Sequence, residues 1–471
     1  MSKRDGAPRP TLAPTTLAAN TRRIAELAWP VFAGQLAVLG FSTIDTLLVA
    51  RYAALDLAAL AVGAAVYASV FVGFMGVVMA VGPIAGQLYG ARRLDECGRQ
   101  LHQAMWLALA IAVLGCALLL APDPFLWLAR AEPAVSHKVR AYLGALAFAL
   151  PASLLFTAWR GFNVAVSRPK AVMALQVAAL AFKVPLSWWL IHGFAVGGWH
   201  VRALGVTGCG VATAIVMWAQ FAGALALMRR DPFYARFGLR HARFARPDAA
   251  ALKALLRLGV PMGASVLIEV TGFTFMAIFI ARLGTTPVAG HQIAANLVAM
   301  MFMLPLALGN ATGTLVAQRV GAADVPDACR LAWHGLAIAL GAGALLGALV
   351  FGARGAIVRT YSDDPLVVAA ALPLVAWAGV FHLGDAAQAL ASAVLRAWHV
   401  ATLPVVIYEL ALWGLGLGGG YLLAFDSSGV APAALTGAPG FWAAASAGLA
   451  VAAIGLVAVL AALQRARLRE G

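Results

Sequence analysis

Three carboxylates stand where the surrounding sequence is almost wholly apolar. Glu269 lies near the middle of the stretch Leu258 to Arg282, Asp45 within GFSTIDTLLVA, and Asp385 within VFHLGDAAQALA. An acid at the centre of a hydrophobic helix costs at least ~2.5 kcal/mol on insertion scales, so such a group faces a cavity or a partner. Glu269 and Asp385 could share a proton, or supply oxygen ligands to a small hard cation such as Na+. A cation pathway is the leading reading of the set.

The second half of the chain adds Asn310, and Gln292 and Asn296 at i,i+4 on one helix face. For that pair a cavity role weighs against ordinary hydrogen bonding between helices. In the first half, Asp45 is flanked by Ser42, Thr43 and Thr46, and Lys183 interrupts the apolar run ALAFKVPLSWWL with Ser187 one turn later. A lysine buried there pairs with a carboxylate or loses its proton, and Asp45 is its expected partner. The alternative is that Lys183 snorkels to the interface. Pro30 and Pro261 each remove a backbone hydrogen bond early in a span and permit a kink, static or moving.

Several signals carry no chemistry. The glycines from Gly414 to Gly420 lie inside an apolar run with no preceding strand, so they favour close helix packing, as does the GxxxG spacing of Gly309 and Gly313. His102, His291, His334, His382 and His399 show no ligand spacing, and the four cysteines are too scattered for a disulfide or metal framework. There is no GxxxxGK[ST] motif, so ATP is not expected as an energy source. No cofactor is expected beyond a coupling ion.

These residues need elements that cross a membrane. Of the 471 residues 62% are hydrophobic and 11% charged, with a mean hydropathy of +0.87; a soluble chain carries roughly 25% charged residues. About twelve spans are expected, near 24–50, 57–85, 104–121, 139–160, 170–192, 205–228, 255–282, 288–316, 331–352, 366–391, 403–424 and 441–463. The fold class is therefore an all-α polytopic membrane protein. The net charge of +15 would suggest nucleic acid in a soluble chain. Here the basic residues sit in alternate loops, 25 on one side (Arg160 and Arg396 among them) against 8 on the other. That split places both termini in the cytoplasm and argues against nucleic-acid binding.

The basic stretch RRDPFYARFGLRHARFARPDAA from Arg229 divides the chain into two similar halves. A shift of 231 positions takes Pro30 to Pro261, Ala50-Arg51 to Ala281-Arg282, Phe71 to Phe302, Gln87 to Gln318, Gly90-Ala91 to Gly321-Ala322 and Arg99 to Arg330. Arg160 and Arg396 follow at a slightly larger shift and open matching loops on this reading. Six spans per half give a parallel repeat about an axis along the membrane normal, with a cavity between two bundles. The expected organisation is a disordered tail (1–22), a first bundle (23–228), a basic linker (229–254), a second bundle (255–464) and a short tail (465–471). None of the three acids has an acidic counterpart under the shift, so the halves share a scaffold and differ in chemistry.

The stretches FSTIDTLLVARYAALDLAALAVG and PIAGQLYGARR resemble the first half of a multidrug and toxic compound extrusion (MATE) transporter. LGVPMGASVLIE, VAGHQIAANLVAMMFMLPLALGNATGTLVAQRVGA and HLGDAAQALASAVLRAW are similar to the second half of its NorM-type bacterial branch. The resemblance implies an outward antiporter of amphipathic organic cations, driven by Na+ or H+, in the bacterial inner membrane and acting as a monomer. It places Glu269 and Asp385 at the cation site of the second bundle and Asp45 at the acidic position of the first. Family members commonly carry Asn, then Asn or Asp, where this chain has Lys183 and Ser187, and a cation at Lys183 could neutralise Asp45. A lipid-linked-precursor flippase of the same superfamily is the alternative. A major-facilitator antiporter finds only a faint echo in GARRLDECGR, and neither an enzyme's constellation nor a channel's pore loop is found.

Overall fold

The computed structural model describes residues 16–128, 132–196, 199–240, 244–426, 429 and 431–470. Most of the expected tail at 1–22, with Lys3, Arg4 and Arg9, and also Arg130, Arg243 and Gly471, lie outside the described residues. Among the described residues, twelve helical segments are long and apolar enough to cross a membrane, as the hydropathy of the sequence predicts. In the first half these are α1 (Leu17–Ala50), α2 (Ala54–Val78) running into α3 (Val81–Gly90), α4 (Leu94–Leu120), α6 (Pro133–Ala165), α7 (Pro169–His192) and α8 (Val206–Arg230), with a short α5 (Asp123–Leu128) between spans. In the second they are α9 (Ala249–Ala281), α10 (Thr285–Gly321), α11 (Val325–Tyr361), α12 (Pro365–Ala397), the segment 402–424, and α15 (Ala438–Glu470). A two-stranded antiparallel ribbon pairs Phe194–Val196 with Trp199–Val201 between α7 and α8.

The sequence marks these ends with ordinary chemistry. Asp248, Asp364 and Asp324 accept backbone N–H groups at the starts of α9, α12 and α11, and Pro133, Pro169 and Pro365 occupy first-turn positions where no N–H is needed. The helices outrun the apolar windows. α1 begins at Leu17 and α15 continues to Glu470, so residues 17–22 and 465–470 are helical where tails are expected. The eleventh span is irregular. It starts as α13 (Thr402–Tyr408), continues as a π-helix over Glu409–Gly418 and ends as α14 (Gly419–Ala424).

The two halves repeat one backbone plan. Four of the five non-glycine residues with positive φ among those described form two pairs. Arg92 (59°) and Ala323 (60°) lie 231 positions apart, and Ser167 (60°) and His399 (59°) lie 232 apart. The second half thus holds one extra residue between the two turns. The halves meet on the face that carries the start of α1 and the end of α15. There α3 crosses α10 at Gly90 and Gly321, where a Cβ would sit 1.9 Å from the carbonyl oxygens of Gln318 and Gln87 respectively. The same glutamines lock the crossing, Gln87 Nε2 donating to Ala397 O and Gln318 Nε2 to Ala165 O, each at 2.7 Å. A second crossing packs Gly76 of α2 against Gly263 of α9. The first turns of α1 reach over as well. Ile24 and Ala28 join the apolar core of the second half, and Asn20 bonds His334 at 2.8 Å.

The basic stretch between the halves is a packed strap. A 3-10 turn over Pro232–Phe237 buries Tyr234 and Phe237, and Arg168 Nη1 pairs with Asp231 Oδ2 at 2.5 Å while stacking 4.2 Å above Phe233. Further on, Trp106 Nε1 donates to Ala245 O at 2.9 Å and Gln103 Nε2 to Arg246 O at 2.8 Å. The Phe233 N–H, and after it Arg168, hold the Asp231 carboxyl below the usual carboxylate range against a smaller opposing effect of burial. A depressed folded-state value gives stability that is present above the unfolded value and lost as pH falls through the folded one. Asp231→Asn is therefore expected to cost less than about 1 kcal/mol at neutral pH, and the difference from wild type should shrink below pH ~4 in paired thermal unfolding curves.

Candidate functional site

Between the halves, toward the crossing of α3 on α10, lies a cavity of about 230 Å3. Its wall is assembled from equivalent positions of the repeat. Val31 and Met262, Gln35 and Val266, Met75 and Leu306, Met79 and Asn310, Gly82 and Gly313, and Pro83 and Thr314 all line it, each pair 231 apart. At 232 apart, so do Arg160 and Ser392, Gly161 and Ala393, Val164 and Arg396, and Gln176 and Tyr408. The cage is two-fold and its chemistry is not. Wherever one half offers an ionic or amide group to the wall, the other offers something different.

Glu269 of α9 lines this cavity, as does Asn310 of α10. Just beside it the π-helix of the eleventh span reaches α9, Trp413 Nε1 donating to Ile268 O at 3.1 Å. Asp385 does not line the cavity. It is 2% exposed in the interior of α12, one turn from Gln388 of the wall. Its near neighbour is His382, Nδ1 to Oδ2 at 3.7 Å. Both ring nitrogens of His382 and the Asp385 Oδ2 are buried without a hydrogen bond. His382 was passed over in the sequence for want of ligand spacing, yet it sits mid-helix beside an acid. Gln388 donates from Nε2 to the hydroxyl of Tyr408, which fixes that ring at the cavity edge.

The polar centre of the first half is separate. Lys183 of α7 is fully buried, with Nζ 3.0 Å from Asp45 Oδ1 of α1 and 2.6 Å from Thr213 Oγ1 of α8. The ammonium does not snorkel; it lies in an ion pair that the sequence anticipated. Ser187, one turn along, is buried with its hydroxyl unpartnered. Gln292 and Asn296 sit on an exposed face of α10 and do not line the cavity. Pro30 and Pro261 lie inside α1 and α9.

One expectation fails. Arg160 and Arg396 are not in matching loops but inside α6 and α12, and both line the cavity. Nor are they equivalents: at the shift of 232 set by Ser167 and His399, Arg160 corresponds to Ser392 and Arg396 to Val164. The signal that misled was position, because a basic residue within two turns of the end of an apolar run reads as an interface residue. Arg160 Nη1 donates to Gln35 Oε1 at 3.2 Å, and Nη2 lies 3.2 Å from Met79 Sδ and 3.5 Å from Met75 Sδ.

The model of the family described as MatE matches residues 30–189 and 261–422, one block in each half. The chain belongs to the MatE family. A relative from Aromatoleum aromaticum, "Probable multidrug resistance protein NorM", is 40% identical over 420 residues, covering 89% of this chain and 90% of its own. "Multidrug resistance protein PmpM" of Pseudomonas aeruginosa is 32% identical, covering 96% and 93%. Among solved structures, the eukaryotic MATE transporter AtDTX14 superposes with a TM-score of 0.83 at 20% identity, covering 94% of this chain and 96% of that one. The bundle pair is thus the MATE fold, and the relatives agree with the NorM-type branch that the sequence resembles.

Proposed function

We propose that this MatE-family chain is a secondary active multidrug exporter, exchanging amphipathic organic cations for inward Na+ or H+ by alternating access. The observation that carries the reading is the cavity between two pseudo-symmetric bundles with Glu269 in its wall and Asp385 one turn behind it. In this reading the coupling ion neutralises the acid pair, the hold on a bound cation weakens, and the substrate leaves. Two ligands competing for one set of charges give the reciprocity that coupled exchange requires. Met75, Met79, Met262, Phe302 and Tyr408 give the wall a soft, adaptable surface suited to varied aromatic cations. The names of the relatives support drug efflux and do not favour a lipid-linked-precursor flippase. The alternation of basic loops supports a bacterial inner-membrane setting with both termini cytoplasmic, even with Arg160 and Arg396 removed from the count.

The test is ethidium efflux from energised vesicles under an imposed pH or Na+ gradient, applied separately. One gradient alone should drive efflux, and Asp385→Asn should reduce that efflux at least about tenfold, the size of one lost charge interaction. Efflux that neither gradient drives would remove the multidrug reading.

A further inference from the structure

The two halves differ at the membrane boundary as well as in the cavity. At the shift of 231, Arg22 and Glu26 of α1 correspond to Lys253 and Arg257 of α9. In α1 the two side chains pair with each other at 2.9 Å. In α9 a second cation stands where the acid was, so the same spacing sets two positive charges on one helix face, with Cβ atoms about 6 Å apart. Both residues are exposed, and neither side chain makes a hydrogen bond or ion pair with any described residue. Asp248 is the only acid between positions 245 and 268, and its carboxylate is engaged in accepting the Ala250 N–H at 2.9 Å.

The face they occupy continues along α9 as an apolar stripe. Leu256, Val260, Leu267 and Ile278 follow at helical spacing and are between 38% and 53% exposed, whereas Leu255, Leu258 and Met262 on the opposite side are buried in the core of the first half. An exposed apolar stripe on a spanning helix is turned to lipid, and Lys253 and Arg257 stand at its head, where the apolar run begins and the headgroups lie. Arg246 precedes them, exposed and equally without a partner for its side chain among the described residues. The backbone there is pinned, because Gln103 of α4 donates to the Arg246 carbonyl and accepts the Asp248 N–H, each at 2.8 Å.

We propose that the start of α9 is a binding site for an anionic phospholipid, with Lys253 and Arg257 as ligands of its phosphate, Arg246 beside them, and its acyl chains lying along Leu256 and Val260. Charge complementarity selects that occupant. A phosphate offers oxygens to both cations at once, and the long side-chain stems let the charges reach headgroup level. A zwitterionic lipid brings an ammonium of its own, which the same cations repel. The site lies on the outer face of α9, away from the cavity, so it holds whatever the protein exports and whichever ion drives the exchange.

The purified full-length protein in detergent can be titrated with phosphatidylglycerol, and in parallel with phosphatidylcholine of the same acyl chains, while its thermal unfolding midpoint is followed. Phosphatidylglycerol should raise the midpoint of wild type at the lower concentration, and added salt should narrow the gap. In Lys253→Gln and in Arg257→Gln the half-maximal phosphatidylglycerol concentration should rise about fivefold, and in the double variant about twenty-five-fold, the size expected for cations beside an anionic headgroup. The response to phosphatidylcholine should stay as in wild type. Arg257→Lys keeps the charge and should keep most of the preference. Arg22→Gln, at the equivalent position whose charge Glu26 already balances, should leave the preference intact. All these side chains are exposed, so the variants should fold as wild type does, and their midpoints without lipid show it. An equal response of wild type to the two lipids, a preference that survives in the double variant, or one lowered as far by Arg22→Gln, overturns the site. Inorganic phosphate acting as well as phosphatidylglycerol at equal concentration would overturn the assignment to a lipid.

Discussion

Lys183→Met is expected to cost about 3–5 kcal/mol of stability, the penalty for leaving one partner of a buried ion pair uncompensated. The reason is geometric. Lys183 is fully buried, and its ammonium meets the Asp45 carboxylate at 3.0 Å, the Thr213 hydroxyl at 2.6 Å and the Phe41 ring face at 5.5 Å. Removing the ammonium leaves a carboxylate inside the bundle with no cation beside it. Asp45→Asn should be nearly as damaging, because it strands the lysine instead. The double variant Asp45→Asn/Lys183→Met should regain most of the loss, since an apolar replacement of a whole buried pair is often close to neutral. Unfolding of all four proteins in one detergent closes this cycle. A double variant as unstable as the sum of the singles would mean that the two side chains act independently.

The second large effect is expected at the crossing of α3 and α10. At Gly90 and at Gly321 a Cβ would lie 1.9 Å from a backbone carbonyl oxygen of the opposite half, and no side-chain rearrangement can relieve that overlap. Gly90→Ala and Gly321→Ala should therefore push the halves apart at the floor and disfavour the arrangement seen here. Because most of each apolar core lies within one half, the bundles themselves should remain folded. Ethidium efflux should fall at least about tenfold for each variant, corresponding to ~1.4 kcal/mol against the closed floor. Gly341→Ala, at a helix position with open space around the missing Cβ, is the control that should change little. Equal effects at Gly341 and Gly90 would show that helix propensity, and not the contact, is at work.

How much of this is legible without coordinates follows from which physical signals are local. Hydropathy locates twelve spans because burial in lipid demands a continuous apolar run. The register of 231 is legible because Pro30, Gln87 and Gly90 recur at 261, 318 and 321, and the glutamines and glycines of that set turn out to build the floor. Glu269 is legible because a carboxylate inside an apolar run needs a reason, and the pairing of Asp45 with Lys183 follows from the same logic applied twice. Arg160 and Arg396 are not legible as cavity residues. Both lie within two turns of a helix end, and a hydropathy window cannot distinguish a floor built of protein from an interface built of headgroups. The π-helix at Glu409–Gly418 leaves no pattern either, because its register is set by packing against α9 and α15. The single extra residue that turns a shift of 231 into 232 shows only when two left-handed turns are paired in space.

The strap between the halves has a mechanical consequence. A linker of this length read from sequence suggests a loose tether, yet from Ala245 onward it is fastened to α4. The last fastening is the Asp248 N–H donating to Gln103 Oε1 at 2.8 Å, at the residue that also caps α9. The covalent join between the halves thus has almost no slack where it enters the second half. Any rocking of one half against the other has to be absorbed within α9 itself, between that anchored first turn and the wall residues Met262, Ser265 and Glu269. Pro261, which leaves α9 one backbone hydrogen bond short, lies in that interval.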